Sequence, residues 1–296
     1  MSIITDTKII SLNSEDGLRR NDTYLSNMFF DLPNLVKDDK TVIHRQISIL
    51  NAQLPFSFYN INTNYNKLNL SINGITRNIT ITDGNYNSTN LFSTLTSAIF
   101  TASSQTINFA ISNITGLITM TSTANFSILS TSTMNKLLGF LERTAYNSTL
   151  VGSTYTLVGV YPLNLLGTKK LQLRSTVLSM GNYSSNNGGL NTLLLTIPVN
   201  ASPFGMIDYT SISNSLISFS NSNLDDIDIT ITDAEDNNFI DFHNQNWTIT
   251  LAIYEYKKLL DGPVVNLETS TNQLFQQKPI EKPKKVQDPV LEFLQK

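Results

Sequence analysis

Two stretches with side chains of strictly alternating character lie near opposite ends of this 296-residue chain, at 41–54 and 247–256. A strand turns successive side chains to opposite faces, so a run of period two is a half-buried strand. In the first run Val42, His44, Gln46, Ser48 and Leu50 point one way, and Ile43, Arg45, Ile47, Ile49 and Asn51 the other. In the second, Trp247, Ile249, Leu251, Ile253 and Glu255 oppose Thr248, Thr250, Ala252, Tyr254 and Tyr256. Further strands are expected at 24–32, stopped by Pro33, and at 157–161, 170–178, 193–199, 206–209, 216–219 and 226–232. About eight long strands with no internal repeat fit an antiparallel sandwich of single jelly-roll type, an immunoglobulin-like sandwich being the other pattern open.

Between these runs the period changes. Residues 67–72 and 75–82 alternate around Asn73-Gly74, the strongest short hairpin signal. A helix is expected at 88–100, capped by Ser88 or Thr89, with Leu91, Phe92, Leu95, Ala98 and Ile99 on one face. Short strands follow at 106–110, 117–121 and 126–129, then a short helix at 133–138 ended by Gly139. The expected division is an N-terminal arm at 1–22, a jelly-roll sandwich from 23–66 and 157–260, an inserted α+β unit at 67–156, and a Lys/Pro-rich extended tail at 261–296. The tail holds Lys278, Lys282, Lys284 and Lys285 among Pro279, Pro283 and Pro289, and suits docking on another component.

Composition narrows function mostly by exclusion. Net charge is −3, which gives no basic stripe for nucleic acid. No apolar run reaches the roughly 18 residues that cross a bilayer. The first residues lack the basic and apolar regions of a secretory leader. Cysteine is absent, so disulfides, thiolate chemistry and Cys-ligated zinc do not arise.

Candidate chemistry is sparse. The two histidines, His44 and His243, have no serine elbow nearby in sequence from which to build a hydrolase triad. Seven carboxylates fall in seventeen residues: Asp225, Asp226, Asp228, Asp233, Glu235, Asp236 and Asp241. Asp233, Glu235 and Asp236 could offer oxygen ligands to calcium, but the run lacks the glycine and the closing glutamate of an EF-hand loop. It reads first as a hairpin tip between strands at 227–232 and 239–242. The expectation is therefore no catalytic, cofactor-binding or metal-binding residues, no cofactor, and no enzyme activity.

One ordered set of segments resembles a known family. The strand, the Asp83-Gly84-Asn85-Tyr86 turn, the helix, two strands and Leu137-Leu138-Gly139-Phe140 resemble a small unit of the penton (vertex) and minor capsid proteins of virophages and large double-stranded DNA viruses. The strand at 46–54 with Pro55, Phe56, Phe58, Tyr59, Asn60 and Ile61, and the segments 229–233, 241–242 and 247–254, resemble that family in the same order. The resemblance implies a single jelly roll that forms homopentamers at icosahedral five-fold vertices. It also implies contact with the major capsid protein, location in the virion and synthesis in the host cytoplasm. A minor (cement) protein bridging capsomers is the alternative, and a carbohydrate-binding host-attachment head a third.

Overall fold

The computed structural model describes residues 3–20, 24–178, 182–183, 190–211, 216–219 and 223–258. The tail at 261–296 and most of the loop at 181–189 lie outside them. The strands are β1 (Ile3–Asn13), β2 (Leu18–Arg19), β3 (Asn27–Val36), β4 (Val42–Pro55), β5 (Lys67–Ile72), β6 (Ile75–Thr80), β7 (Asn108–Ile111), β8 (Leu117–Ser122), β9 (Phe126–Ile128) and β10 (Tyr146–Asn147). They continue as β11 (Thr149–Val151), β12 (Thr154–Pro162), β13 (Lys170–Arg174), β14 (Asn182–Tyr183), β15 (Leu190–Asn191), β16 (Leu193–Pro198), β17 (Met206–Thr210), β18 (Ile217–Phe219), β19 (Leu224–Asp233) and β20 (Thr248–Lys257). The helix α1 is Ser88–Ser103.

Two antiparallel sheets face each other. One runs β1-β20-β4-β17, with β18 also on β4, and the other runs β16-β13-β19-β3-β2. Counting β17 and β18 as one position, the eight sandwich strands in chain order are β1, β3, β4, β13, β16, β17/β18, β19 and β20. The sheets then read 1-8-3-6 and 2-7-4-5. That is the interleaved double Greek key of a jelly roll, and it rules out the immunoglobulin pattern.

Alternation produces the core directly. Ile249, Leu251 and Ile253 of β20 meet Ile227, Ile229 and Ile231 of β19 in one buried cluster. Trp247 is 1% exposed, lies edge-on to Phe30 with centroids 6.0 Å apart, and donates from Nε1 to Leu25 O at 2.8 Å. Its backbone exchanges bonds with Ser14, which ties the end of β1 to the start of β20.

Several expectations need correction. Residues 3–13 of the expected N-terminal arm are instead a sandwich strand, because β1 pairs with β20 along its length. Pro33 does not stop its strand: it lies in a bulge of β3 between the paired residues Asp31 and Val36. There Asn34 takes a left-handed φ of 63° and donates its N–H to Asp225 Oδ1 at 2.8 Å. A bulge also breaks the alternation of β4, so Ala52 and Leu54 point inward and Asn51 outward. Residues 239–242 add only a bridge, Thr232↔Phe239, before the chain crosses to the other sheet.

The inserted unit has its own core and reaches Pro162 rather than 156, because β12 pairs with β8. Its sheets are β10-β9-β5-β6 and β11-β12-β8-β7, and α1 buries Leu91, Leu95 and Ile99. Asn73 and Gly74 both have positive φ, as the tight hairpin between β5 and β6 requires. The cap of α1 is Asn87, whose side chain accepts from Asn90 N, not Ser88 or Thr89. The expected helix at 133–138 is a set of turns, with Leu138 N bonded to Met134 O and Phe140 N to Asn135 O. Gly139 closes it at φ 80°, and a Cβ there would stand 2.0 Å from Tyr161 O.

Trp247→Phe keeps the ring against Phe30 but leaves Leu25 O without its donor. It should cost about 1–3 kcal/mol in urea unfolding followed by circular dichroism. A loss indistinguishable from zero would mean that the indole bond does not hold the start of β20 to the segment before β3.

Candidate functional site

The chain leaves the sandwich after β4 and returns at β13, and the two connections meet at a neck. Asn60 organises it. Its Nδ2 donates to Tyr86 O and to Leu165 O, both at 2.9 Å, and its Oδ1 accepts from Tyr86 N at 2.9 Å. Its own N–H donates to Asn85 Oδ1 at 3.0 Å. Beside it, Ile61 and Gly84 exchange both backbone bonds. An amide side chain has two donors and one carbonyl acceptor, so one Asn can hold three stretches of chain at once. The outgoing connection, the Asp83–Tyr86 turn and the returning connection are thereby locked together.

The acidic segment at the end of β19 forms a further contact between the two units. Asp233 Oδ1 accepts from Glu235 N at 2.6 Å and Asp236 N at 3.2 Å, which shapes a tight turn. The turn reaches the inserted unit, where Glu235 pairs with Lys136 at 3.5 Å and Asp236 accepts the Tyr65 hydroxyl. Burial, then the bond to Asp236, pushes the Tyr65 phenol well above its ordinary pKa. Burial works against the charge on Lys136, but Asp236, Glu235 and Glu142 outweigh it and raise its pKa.

Of the remaining carboxylates, Asp225, Asp226 and Asp228 lie on β19 and Asp241 beyond it, and they do different things. Asp225 caps the bulge at Asn34, and Asp226 stands opposite Asp31. Asp228 is fully buried on the outer side of its sheet. It accepts from Ser175 Oγ at 2.7 Å, Thr176 Oγ1 at 2.7 Å and Val177 N at 3.1 Å, with Arg20 at 3.3 Å. Burial opposes its ionisation, but the bonds from Thr176, Ser175 and Val177 prevail and lower its pKa. Asp241 accepts from His243 N at 2.8 Å. Among the described residues no three such groups come together as metal ligands.

The histidines sit near opposite ends of β20. His44 lies beside Tyr256, with ring centroids 5.7 Å apart, and its Nε2 is 3.2 Å from Ser218 Oγ. His243 packs on Tyr59 with centroids 4.3 Å apart, and its Nε2 is 3.8 Å from Asp241. The Ser218–His44 contact was invisible in the sequence, because only the pairing of β18 with β4 creates it. Among the described residues no carboxylate orients His44, so the pair lacks the third member of a triad.

Two substitutions test these assignments. Asn60→Ala strands the partners at the neck and should cost about 1–3 kcal/mol, read by urea unfolding. No change would remove Asn60 as the organising residue. Asp228→Asn should cost a similar amount, about 1–3 kcal/mol at neutral pH. The folded pKa of Asp228 is depressed, so its contribution is complete above the unfolded value of about 3.9 and is lost as pH falls through the folded one. The gap between variant and parent should therefore narrow as the pH is taken below about 3.9, and a gap independent of pH would refute the role of its charge.

No known family profile matches this sequence, and no curated protein matches it. Among solved structures, the crystal structure of a selenomethionine-labelled mavirus penton protein is similar, with a TM-score of 0.47 and 10% identity. The match covers 84% of this chain and 99% of that one.

Proposed function

We propose that this chain is a structural protein of a virus capsid, and specifically the vertex protein that assembles as a ring of five against the major capsid protein. Its work on this reading is packing rather than catalysis, and its place is the virion. The observation that carries the proposal is how the resembling segments are used. Tyr59-Asn60-Ile61 and Asp83-Gly84-Asn85-Tyr86 lie far apart in sequence yet bond to one another at the neck. Two degenerate patterns that meet in one hydrogen-bonded joint are less easily explained by chance than either alone.

The inserted unit supports lateral packing. Its sheet β11-β12-β8-β7 contains no charged residue in any of the four strands. The inner side carries Ile118, Met120 and Leu157, which are buried. The outer side carries the cross-strand rows Ala110-Thr119-Val158 and Asn108-Thr121-Thr156-Thr149. Val151, Val158 and Val160 are exposed to 60%, 48% and 50%. Sheet edges are ordinarily protected by charge, and a neutral face ending in the edge strand β11 suits contact with another protein surface.

Native mass spectrometry should give a particle of five chains of 33.0 kDa each. Val158→Lys should abolish it while changing monomer stability by less than about 0.5 kcal/mol. A monomer at high concentration, with no copy at the five-fold axes of a particle reconstruction, would refute the vertex role. Density between capsomers instead would assign the chain to the minor capsid proteins.

A further inference from the structure

A groove runs along the junction of the two units, independent of the proposed vertex role. Tyr24, Tyr59 and Tyr65 line it together with Phe239, which is 41% exposed, and His243 completes the wall. Four carboxylates line it as well, Asp83, Asp233, Asp236 and Asp241, while Lys136, paired with Glu235, lines the adjoining hollow beside Tyr65 and Asp236. Asp236 is occupied by Tyr65, but Asp83, Asp233 and Asp241 form no ion pair with a lysine or arginine among the described residues. Aromatic walls with such carboxylates select a ligand that is both cationic and able to stack.

The chain carries such a ligand. Residues 278–285 read Lys-Pro-Ile-Glu-Lys-Pro-Lys-Lys, four positive charges against one negative, with two Lys-Pro steps. Proline-rich segments present a preformed extended helix to aromatic-lined grooves, at little entropic cost. Lysine ammonium groups gain both from carboxylates and from the faces of tyrosines.

Reach permits the contact within one chain. The last described residue, Lys258, is fixed to Thr41 O at the far end of β20 from Asp241 and His243. The ten residues of β20 span roughly 33 Å. The spacer from Lys258 to Lys278 is twenty residues (278 − 258), a length that extends to at most about 66–72 Å. A coil of that length averages about 25 Å end to end, the same order as the gap. We propose that the junction groove receives the chain's own 278–285 segment.

Zero-length carbodiimide cross-linking of the full chain, in an equal mixture of unlabelled and nitrogen-15-labelled copies, tests this. Peptide mass spectrometry should find links from Lys282, Lys284 or Lys285 to Asp233 or Asp241, within copies of one isotope. Pro279→Ala with Pro283→Ala keeps every lysine and touches none of the described residues, and should lower those links several-fold. High salt should lower them too. Links spread over exposed carboxylates such as Asp16, Asp38 and Asp208 in proportion to exposure would overturn the proposal. Links found only between isotopes would also overturn it, since the occupant would then be another copy's tail.

Discussion

How the chain between β4 and β13 is held to the sandwich rests first on one side chain's hydrogen-bonding capacity. A unit with its own core, inserted in one connection of a sandwich, is free to swing unless its two linkers are fixed to each other. Asn60 fixes them, bonding the turn at Tyr86 and the return at Leu165 from a position on the way out. The fit is close on the far side too: a Cβ on Gly167 would stand 3.0 Å from the Asn60 Cβ. The acidic turn at Asp233–Asp236 adds a second attachment through Tyr65 and Lys136, so two points rather than one define the angle of the units.

The sandwich poses the opposite problem, since its closure is almost wholly non-local. The last strand lies between β1 and β4, so β20 cannot pair until nearly the whole described chain has been made. Loop-closure entropy grows only slowly with length, so the long insertion costs the equilibrium little. It slows assembly instead, because distant pairings must form before they are rewarded. An inserted unit that folds on local hairpins and one helix shortens that search by bringing the ends of β4 and β13 together.

Sequence reasoning found the elements better than it found their limits. Alternation located β4 and β20, because burial on one face imposes a period of two, and the strand expected at 226–232 falls inside β19. Asn73-Gly74 located the hairpin of β5 and β6 for a similarly local reason. Failures fell where a distant partner decides. Pro33 reads as a terminator, yet Asp225 stabilises a bulge that admits it. The segment at 3–13 reads as an arm because nothing local reveals that β20 is its partner. The acidic run reads as a solvated hairpin tip and is an exposed turn closed by the Thr232↔Phe239 bridge, but nothing local reveals that Glu235 and Asp236 also reach Lys136 and Tyr65.

The absence of charge from β7, β8, β11 and β12 governs how any contact through that sheet responds to its surroundings. Salt has no ion pairs there to screen, and acid has no carboxylate there to neutralise. What remains is the removal of methyl groups from water, a force that weakens on cooling. A contact made through this sheet would tolerate brine and mild acid, and chilling would be its weak point.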